Sequence, residues 1–171
     1  LAVKVISDKI NASYRQNMRD SSIKNMLDSA LVAANIEVYD MADTKPELHG
    51  MGTTVVCAVV RDGYAFIAHA GDSRAYIFDG ENLTQVTTDH SVVQNLIDKG
   101  EITKEQAQYH PNKNLITRAI GVDKNIDIDF DEVKSTLVNE ILTGIVSAEV
   151  DAVAAELEKL GNLENGDVIS Q

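Results

Sequence analysis

The sequence is poor in cysteine and in proline, and each scarcity excludes a class of protein. Cys57 has no second cysteine to pair with, so a disulfide framework is excluded. This fits a reducing compartment, and we expect a cytoplasmic protein. Two prolines among 171 residues, with 44% hydrophobic and 25% charged residues, are typical of a globular chain with a buried core rather than of a disordered chain.

Long apolar runs and basic residues are also scarce. No run approaches the roughly 18 to 20 apolar residues that span a bilayer, and residues 1–5 lack the basic region and the longer apolar region of a signal peptide. Fifteen basic against 27 acidic residues give a net charge of −12, which makes nucleic acid a poor partner. The length predicts a single domain over residues 1–171.

Apolar residues at helical spacing predict several helices. The first carries Val3, Ile6 and Ile10 on one stripe, and a second follows a cap at residues 20–22. The other predicted helices are residues 92–100, a short helix that begins with a capping box at 103–106 and stops at His110-Pro111, and residues 147–161.

Apolar and β-branched runs joined by Asp-Gly turns predict an antiparallel meander. Its first strand, residues 53–60, is apolar almost throughout, so we expect it to be covered on both faces in the middle of the structure. Further strands are predicted at 64–69, 74–78 and 83–86, and a half-exposed strand where Ile126, Ile128 and Phe130 alternate with aspartates. Helices and a meander without regular β-α alternation predict an α+β layered fold.

The most informative break in the meander is Gly71-Asp72-Ser73, between two buried strands. It places the Asp72 carboxylate at a sheet edge, where a hard cation could bind with its waters. The other explanation is an ordinary turn, in which the Asp72 side chain bonds its own backbone. The spacing alone favours the ordinary turn.

Five motifs follow one another along the chain. They are Met51-Gly52-Thr53-Thr54, His69-Ala70-Gly71-Asp72-Ser73-Arg74-Ala75-Tyr76, Thr88-Asp89-His90-Ser91, His110-Pro111 and Ile116-Thr117-Arg118-Ala119-Ile120-Gly121. In order and spacing they resemble the bacterial metal-dependent protein phosphatases of the PP2C (PPM) family. Each motif is weak alone, but five in register are specific, and the resemblance covers roughly residues 1–134.

The resemblance implies an antiparallel β-sandwich flanked by helix pairs, in four αββα layers. It implies two to three Mn²⁺ or Mg²⁺ ions at one end of the sandwich, which activate a water for attack on phosphoserine or phosphothreonine without a covalent phosphoenzyme. The implied partners are phosphoproteins, the substrates of a Ser/Thr kinase. We expect a monomer, and the weaker alternative is an oligomer in which subunits cover open sheet edges.

The resemblance also implies roles for individual residues. Asp72 matches an aspartate that binds the additional, third metal ion, and residues 89–118 match a flap beside the active site. Residues 53–54 lie at a buried strand start and are expected to be structural. Arg74 either pairs with a nearby carboxylate or is a solvated surface cation, and His69 is expected to be a core histidine rather than a catalytic one. No catalytic side chain is assigned.

Three aspartates of the family's central metal site lack clear counterparts. The family places Asp-Gly-Met-Gly-Gly before the first long helix, where this chain begins. It places Ser-Asp-Gly on a strand after the position of Val133, where this sequence has Lys134-Ser135-Thr136-Leu137-Val138. Its late Asp-Asn motif has only a shortened likeness at residues 164–170, in which Asp167 is a candidate metal ligand.

Two explanations of these departures remain open. Either the sequence omits segments of an ordinary phosphatase, or the protein is a non-catalytic PP2C-like module that binds phosphoproteins or a partner without turnover. In the second case, Val55, Val59 and Ile67 would lose the strands that cover their apolar faces in the family. We therefore favour omission.

Overall fold

The computed structural model describes residues 1–79, 81–134 and, as backbone, 141–144. Its helices are α1 (Ala2–Ser13), α2 (Asp20–Thr44), α3 (Val92–Asp98) and α4 (Lys104–Ala107), with a 3-10 turn at Pro46–Leu48. Its strands are β1 (Val55–Arg61), β2 (Tyr64–Ala70), β3 (Arg74–Phe78), β4 (Leu83–Gln85), β5 (Asp129–Lys134) and β6 (Ile141–Gly144). None of the helices in this part of the chain combines the length and apolar character that crossing a bilayer requires.

The predicted helix pair at the start of the chain is confirmed. In α1, Ile6 is buried, and in α2 one stripe is buried at spacings of three and four. That stripe consists of Ile23, Met26, Leu27, Ala30, Leu31, Ala34 and Val38. Ile6 and the stripe as far as Ala34 belong to one core cluster, because each helix has only one apolar side to remove from water.

The cap predicted for α2 at residues 20–22 is wrong. The N-cap residue is Arg19, and no side chain caps the helix. The Asp20 carboxylate instead accepts a hydrogen bond of 2.6 Å from Arg61 Nη2 at the end of β1. Its charge still lies in the first turn, where the partial positive charge of a helix N-terminus stabilises an anion.

The strands form two antiparallel sheets, so the predicted antiparallel pairing is right and the prediction of one continuous meander is wrong. The strand orders are β1-β2-β5 and β4-β3-β6 among the described residues. The consecutive strands β2 and β3 lie in different sheets, because Gly71, with a φ of 112°, redirects the chain after β2. The observed fold is α+β, as predicted.

Alternate residues of β2 belong to two separate core clusters. Phe66 and Ala68 pack with the buried stripe of α2, whereas Ala65 and Ile67 pack with Ala75 of β3 in the second sheet. The order of layers in the described residues is therefore helix pair, first sheet, second sheet, as the period of two in a strand dictates. The predicted helix at 147–161 lies outside the described residues, as does the candidate ligand Asp167.

The prediction for β1 is partly confirmed. Both of its faces contact a core cluster, Val55, Cys57 and Val59 on the helix side and Val56 and Ala58 on the other. Among the described strands, however, β1 lies at an edge of its sheet and is half-buried, and the buried central strand is β2.

The strand predicted around residues 126–130 begins later than expected. The observed strand β5 starts at Asp129 and pairs with β2 in register, His69 opposite Asp129 and Tyr64 opposite Lys134. Ile128 and Phe130 nevertheless pack against the helix-side core, as their apolar character predicts.

The two ends of residues 89–118, the segment predicted as a flap and called the insert below, contact each other at the base of the segment. Ser91 and Ile116 form a bridge, and the Thr117 amide donates to the His90 carbonyl at 2.8 Å. Within the insert, the Ser91 hydroxyl caps α3, and the predicted capping box of Thr103 and Gln106 is present at the start of α4. The two ends of the insert thus meet beside the end of β2.

Candidate functional site

The turn after β2 places Asp72 at the end of the first sheet. Gly71 is buried, and a Cβ at this position would overlap Thr54 Cγ2, so the close approach of Thr54 requires glycine. The hydroxyls of Thr54 and Ser73 share a hydrogen bond of 2.7 Å across the turn. This contact supports the structural role predicted for Thr54.

Asp72 is half-buried and takes part in none of the hydrogen bonds or ion pairs found among the described side chains. The bond from its side chain to its own backbone, which the ordinary-turn explanation requires, is not among them. In the same turn, the amide and carbonyl of Gly71 bond to His90, and the Ser73 hydroxyl bonds to Thr54. Among the described residues, the turn therefore presents one carboxylate whose oxygens are open to a further ligand.

Arg74, the first residue of β3, forms a bidentate ion pair with Asp89. Its Nε and Nη2 atoms donate to the two Asp89 oxygens at 2.7 and 2.6 Å, and its Nη1 lies 3.4 Å from the Tyr76 hydroxyl. The hydrogen bonds to Asp89 raise the pKa of Arg74, so the guanidinium stays charged. The predicted pairing with a carboxylate is confirmed, and it ties the turn to the start of the insert 89–118.

A second link between the turn and the insert runs through His90. The His90 amide donates to the Gly71 carbonyl at 2.9 Å, and the Gly71 amide donates to His90 Nδ1 at 3.0 Å. On the other side of the ring, His90 Nε2 lies 3.1 Å from Asp129 Oδ2. Arg118 Nη1 donates to the other Asp129 oxygen at 2.7 Å.

His69 stacks on His90 with ring centroids 4.8 Å apart and is a core histidine, as predicted. Burial, with a smaller contribution from His90, lowers the pKa of His69 to about 4. Its Nε2 lies 3.5 Å from Asp131 Oδ2, and its buried Nδ1 has no hydrogen-bond partner among the described residues. Burial and the neighbouring Asp129 raise the pKa of Asp131.

Burial favours the neutral form of Asp129, but hydrogen bonds from His90 and Arg118 outweigh that effect, and the pKa of Asp129 is lowered. Asp129 is therefore an anion held between two donors. The sequence predicted none of this cluster as a unit, because His90, Arg118 and Asp129 come from separate segments. The only sequence feature that pointed to this cluster was that His90 and Arg118 lie in two of the five motifs.

His69, His90 and Asp129 could in principle ligate a metal, since one ligand atom from each lies within 4.8 Å of the others. Two observations argue against it. His90 Nδ1 accepts the Gly71 N–H, so the neutral ring carries its proton on Nε2, the atom that faces the cluster. Arg118 already places a cation 2.7 Å from Asp129. The cluster is a hydrogen-bonded network rather than a metal site.

The Asp72 carboxylate does fit Mn²⁺ or Mg²⁺, since both cations prefer oxygen ligands. One carboxylate is not a complete site, because such ions take about six oxygen ligands. Asp72 is thus a candidate for one ligand, and waters or other oxygen groups would have to complete the coordination.

The low pKa of His69 predicts a loss of stability in acid. An unfolded chain protonates this ring near its ordinary pKa of about 6.5, whereas the folded chain does so only near 4. Stability from the neutral buried ring is therefore fully present above pH 6.5 and is lost as the pH falls towards 4. Between pH 7 and pH 4, we expect the free energy of unfolding to fall by up to about 3 kcal/mol from this effect. In His69→Gln the fall should be smaller. Urea unfolding at each pH measures both.

His49→Gln is the control for this experiment, because the His49 side chain is exposed. It should leave the pH dependence of the free energy of unfolding as it is in the wild type. Equal slopes in all three proteins would contradict the assignment to His69.

Comparison with known proteins agrees with the fold and with the motifs around this site. The family profile described as Protein phosphatase 2C matches residues 2–96. A serine/threonine phosphatase stp from Listeria innocua is 36% identical over 129 residues, which are 75% of this chain and 51% of that protein. The chain thus spans about half the length of the curated relatives that it matches first.

Solved structures give the same result. Serine/threonine phosphatase Stp1 from Staphylococcus aureus superposes with a TM-score of 0.76 at 28% identity, over 92% of this chain and 69% of that one. The catalytic domain of serine threonine protein phosphatase PstP, in complex with two manganese ions, superposes with a TM-score of 0.60 at 30% identity, over 78% of this chain and 55% of that one.

Proposed function

The chain belongs to the protein phosphatase 2C family, and on that basis we propose that the intact protein hydrolyses phosphoserine and phosphothreonine in protein substrates with bound Mn²⁺ or Mg²⁺. The observation on which the proposal rests is the turn at Asp72, where the carboxylate bonds to none of the described side chains while Gly71, Ser73 and Arg74 beside it are held by His90, Thr54 and Asp89. The printed names of the relatives, which are serine/threonine phosphatases, support the reaction type.

We assign Asp72 as one ligand of a metal ion, the additional ion that the sequence resemblance implies. The manganese ions of the PstP catalytic domain support the choice of metal. The residues of this chain contribute by holding the carboxylate still. Thr54, Arg74 and His90 each bond to the turn or to its flanks, so that little conformational freedom is lost when a cation binds.

We assign residues 89–118 as a flap beside the active site, within a single domain. The support is geometric, since Asp89 and His90 at its base bond to the turn that carries Asp72. The substrates we propose are phosphoproteins made by a Ser/Thr kinase, and we propose that the protein acts as a monomer in the cytoplasm.

Asp72→Asn tests the metal role. In the intact protein we expect hydrolysis of p-nitrophenyl phosphate that requires Mn²⁺, and a loss of at least about tenfold in Asp72→Asn, because an amide lacks the charge that a hard cation needs. Phosphoserine and phosphothreonine peptides should show the same loss.

Asp79→Asn is the matched control. Asp79 is exposed, and its Oδ1 accepts from the Glu81 and Asn82 amides, a role that the asparagine oxygen can keep. Its activity should equal that of the wild type. Tight phosphopeptide binding without turnover in the intact wild-type protein would favour the non-catalytic module instead. Hydrolysis without added metal would contradict the proposal.

A further inference from the structure

His90 contacts both the turn that carries Asp72 and the two ends of the insert 89–118. Its amide and its Nδ1 both bond to Gly71, and its carbonyl accepts from the Thr117 amide at 2.8 Å. Its side chain is 7% exposed, which removes water as a competitor for these bonds. One buried residue thus connects three segments that are distant in sequence.

The hydrogen-bond partners determine the proton positions on the His90 ring. The Gly71 N–H is only a donor, so Nδ1 is unprotonated and the proton of the neutral ring lies on Nε2. From there it donates to Asp129 Oδ2 at 3.1 Å, while Arg118 donates to Oδ1. In the opposite tautomer, two donors would face each other, and the buried Gly71 amide would lose its acceptor.

The contacts of Arg118 bear on the tautomer as well. Arg118 Nη1 lies 3.2 Å from His90 Nε2, and it could donate to Nε2 only in the opposite tautomer. Its contact with Asp129 Oδ1 is shorter, at 2.7 Å, and is charge-assisted, so the carboxylate is the stronger acceptor for the guanidinium. With the proton on Nε2, the Gly71 amide keeps its acceptor and Asp129 gains a second donor.

Gly71 has to be glycine because Thr54 leaves no room for a Cβ, but glycine is also the residue with the most backbone freedom. The two bonds from His90 remove that freedom at the residue immediately before Asp72. We propose that His90 is a positioning residue, which in its Nε2–H tautomer fixes the Gly71 peptide and thereby the direction of the Asp72 carboxylate. The catalytic consequence rests on the proposed function, whereas the tautomer and the restraint on Gly71 do not.

Two substitutions separate the two bonds of the His90 ring. In His90→Asn, the side-chain oxygen reaches the former position of Nδ1 and can still accept from the Gly71 amide. In His90→Gln, the side-chain nitrogen reaches the former position of Nε2 and can donate to Asp129, but the acceptor for Gly71 is lost. Both variants are polar and neutral, so a general loss of packing should affect them alike.

The experiment uses the full-length protein and three readouts. The ¹⁵N spectrum of the wild-type His90 ring at neutral pH should show a protonated Nε2 and an unprotonated Nδ1. Exchange of the Gly71 amide with solvent should be at least about tenfold faster in His90→Gln than in His90→Asn. In the presence of Mn²⁺, kcat for p-nitrophenyl phosphate should fall by about tenfold in His90→Gln and be largely restored in His90→Asn.

The outcomes separate this inference from the proposed function. A ring protonated on Nδ1, or equal Gly71 exchange in the two variants, would overturn the inference even if the protein is an active phosphatase. The expected spectrum and exchange rates in a wild-type protein that hydrolyses no phosphate ester would support the role of His90 at Gly71 and overturn the proposed function.

Discussion

Gly71→Ala is expected to lower the free energy of unfolding by about 3 kcal/mol or more, the largest effect of any single methyl group that we predict. Two costs add at this position. The backbone has a φ of 112°, which L residues rarely adopt. An added Cβ would also overlap Thr54 Cγ2 and lie 2.6 Å from Thr54 Cβ. Urea unfolding of the wild type and the variant measures the difference.

Gly100→Ala is the matched control. Gly100 also has a positive φ, 71°, but no atom lies within 4 Å of an added Cβ, so only the backbone cost of about 1 kcal/mol applies. The difference between the two variants reports the steric overlap together with the higher backbone cost at a φ of 112°. Thr54→Ser removes the overlapping methyl and keeps the hydroxyl bond to Ser73, so it should partly rescue Gly71→Ala. Equal destabilisation by both alanines would contradict the overlap.

Arg74→Met is expected to cost about 2 to 4 kcal/mol, the second large effect, because it leaves the Asp89 carboxylate in a poorly hydrated site without its partner. The side-chain exposures of Arg74 and Asp89 are 27% and 11%. A double-mutant cycle with Asp89→Leu should give a coupling energy of about 2 kcal/mol, since the pair is bidentate and partly shielded from water.

The pair of Lys4 and Asp8 is the control for that cycle. Their nitrogen and oxygen are 2.7 Å apart, close to the Arg74–Asp89 distance, but both side chains are exposed, at 79% and 65%. A double-mutant cycle with alanine at each position should give a coupling energy that is only a small fraction of that of Arg74 and Asp89. The reason is that water screens the charges of the exposed pair and competes for its hydrogen bonds. Similar coupling in the two cycles would show that burial does not strengthen the Arg74 pair.

The predictions for Gly71 and Arg74 both concern the rigidity of the turn that carries Asp72. Gly71 allows the close approach of Thr54, and Arg74 holds the start of β3 to Asp89 at the base of the insert. If both are confirmed, the turn at Asp72 is stiff in the folded protein. A stiff turn is what a ligand carboxylate needs if it is to hold an ion without losing entropy on binding.

Local patterns in the sequence were enough to predict the helices that the structure describes. The spacing of Ile23, Leu27 and Leu31 predicted the buried stripe of α2, and the capping box at Thr103 was present as expected. The cap predicted for the start of α2 failed because Asp20 pairs with Arg61, a residue 41 positions away. The apolar spacing of a helix depends on residues within two turns of one another, which a sequence displays directly. The contact between Asp20 and Arg61 depends instead on how distant segments pack, which the spacing does not display.

The order and spacing of short motifs predicted the family and the place of Asp72 in the turn. They could not show that β2 and β3 separate into two sheets, because alternation reports which residues face a core and not which strand lies beside them. Nor could they show that His90, Arg118 and Asp129 meet, since those contacts join segments 28 and 39 residues apart. Composition and spacing were sufficient to predict the contacts between residues close in sequence and to indicate the family resemblance. The hydrogen bonds that direct Asp72 exist only once the two sheets and the insert have packed together, because burial is what makes each donor and acceptor depend on a particular partner.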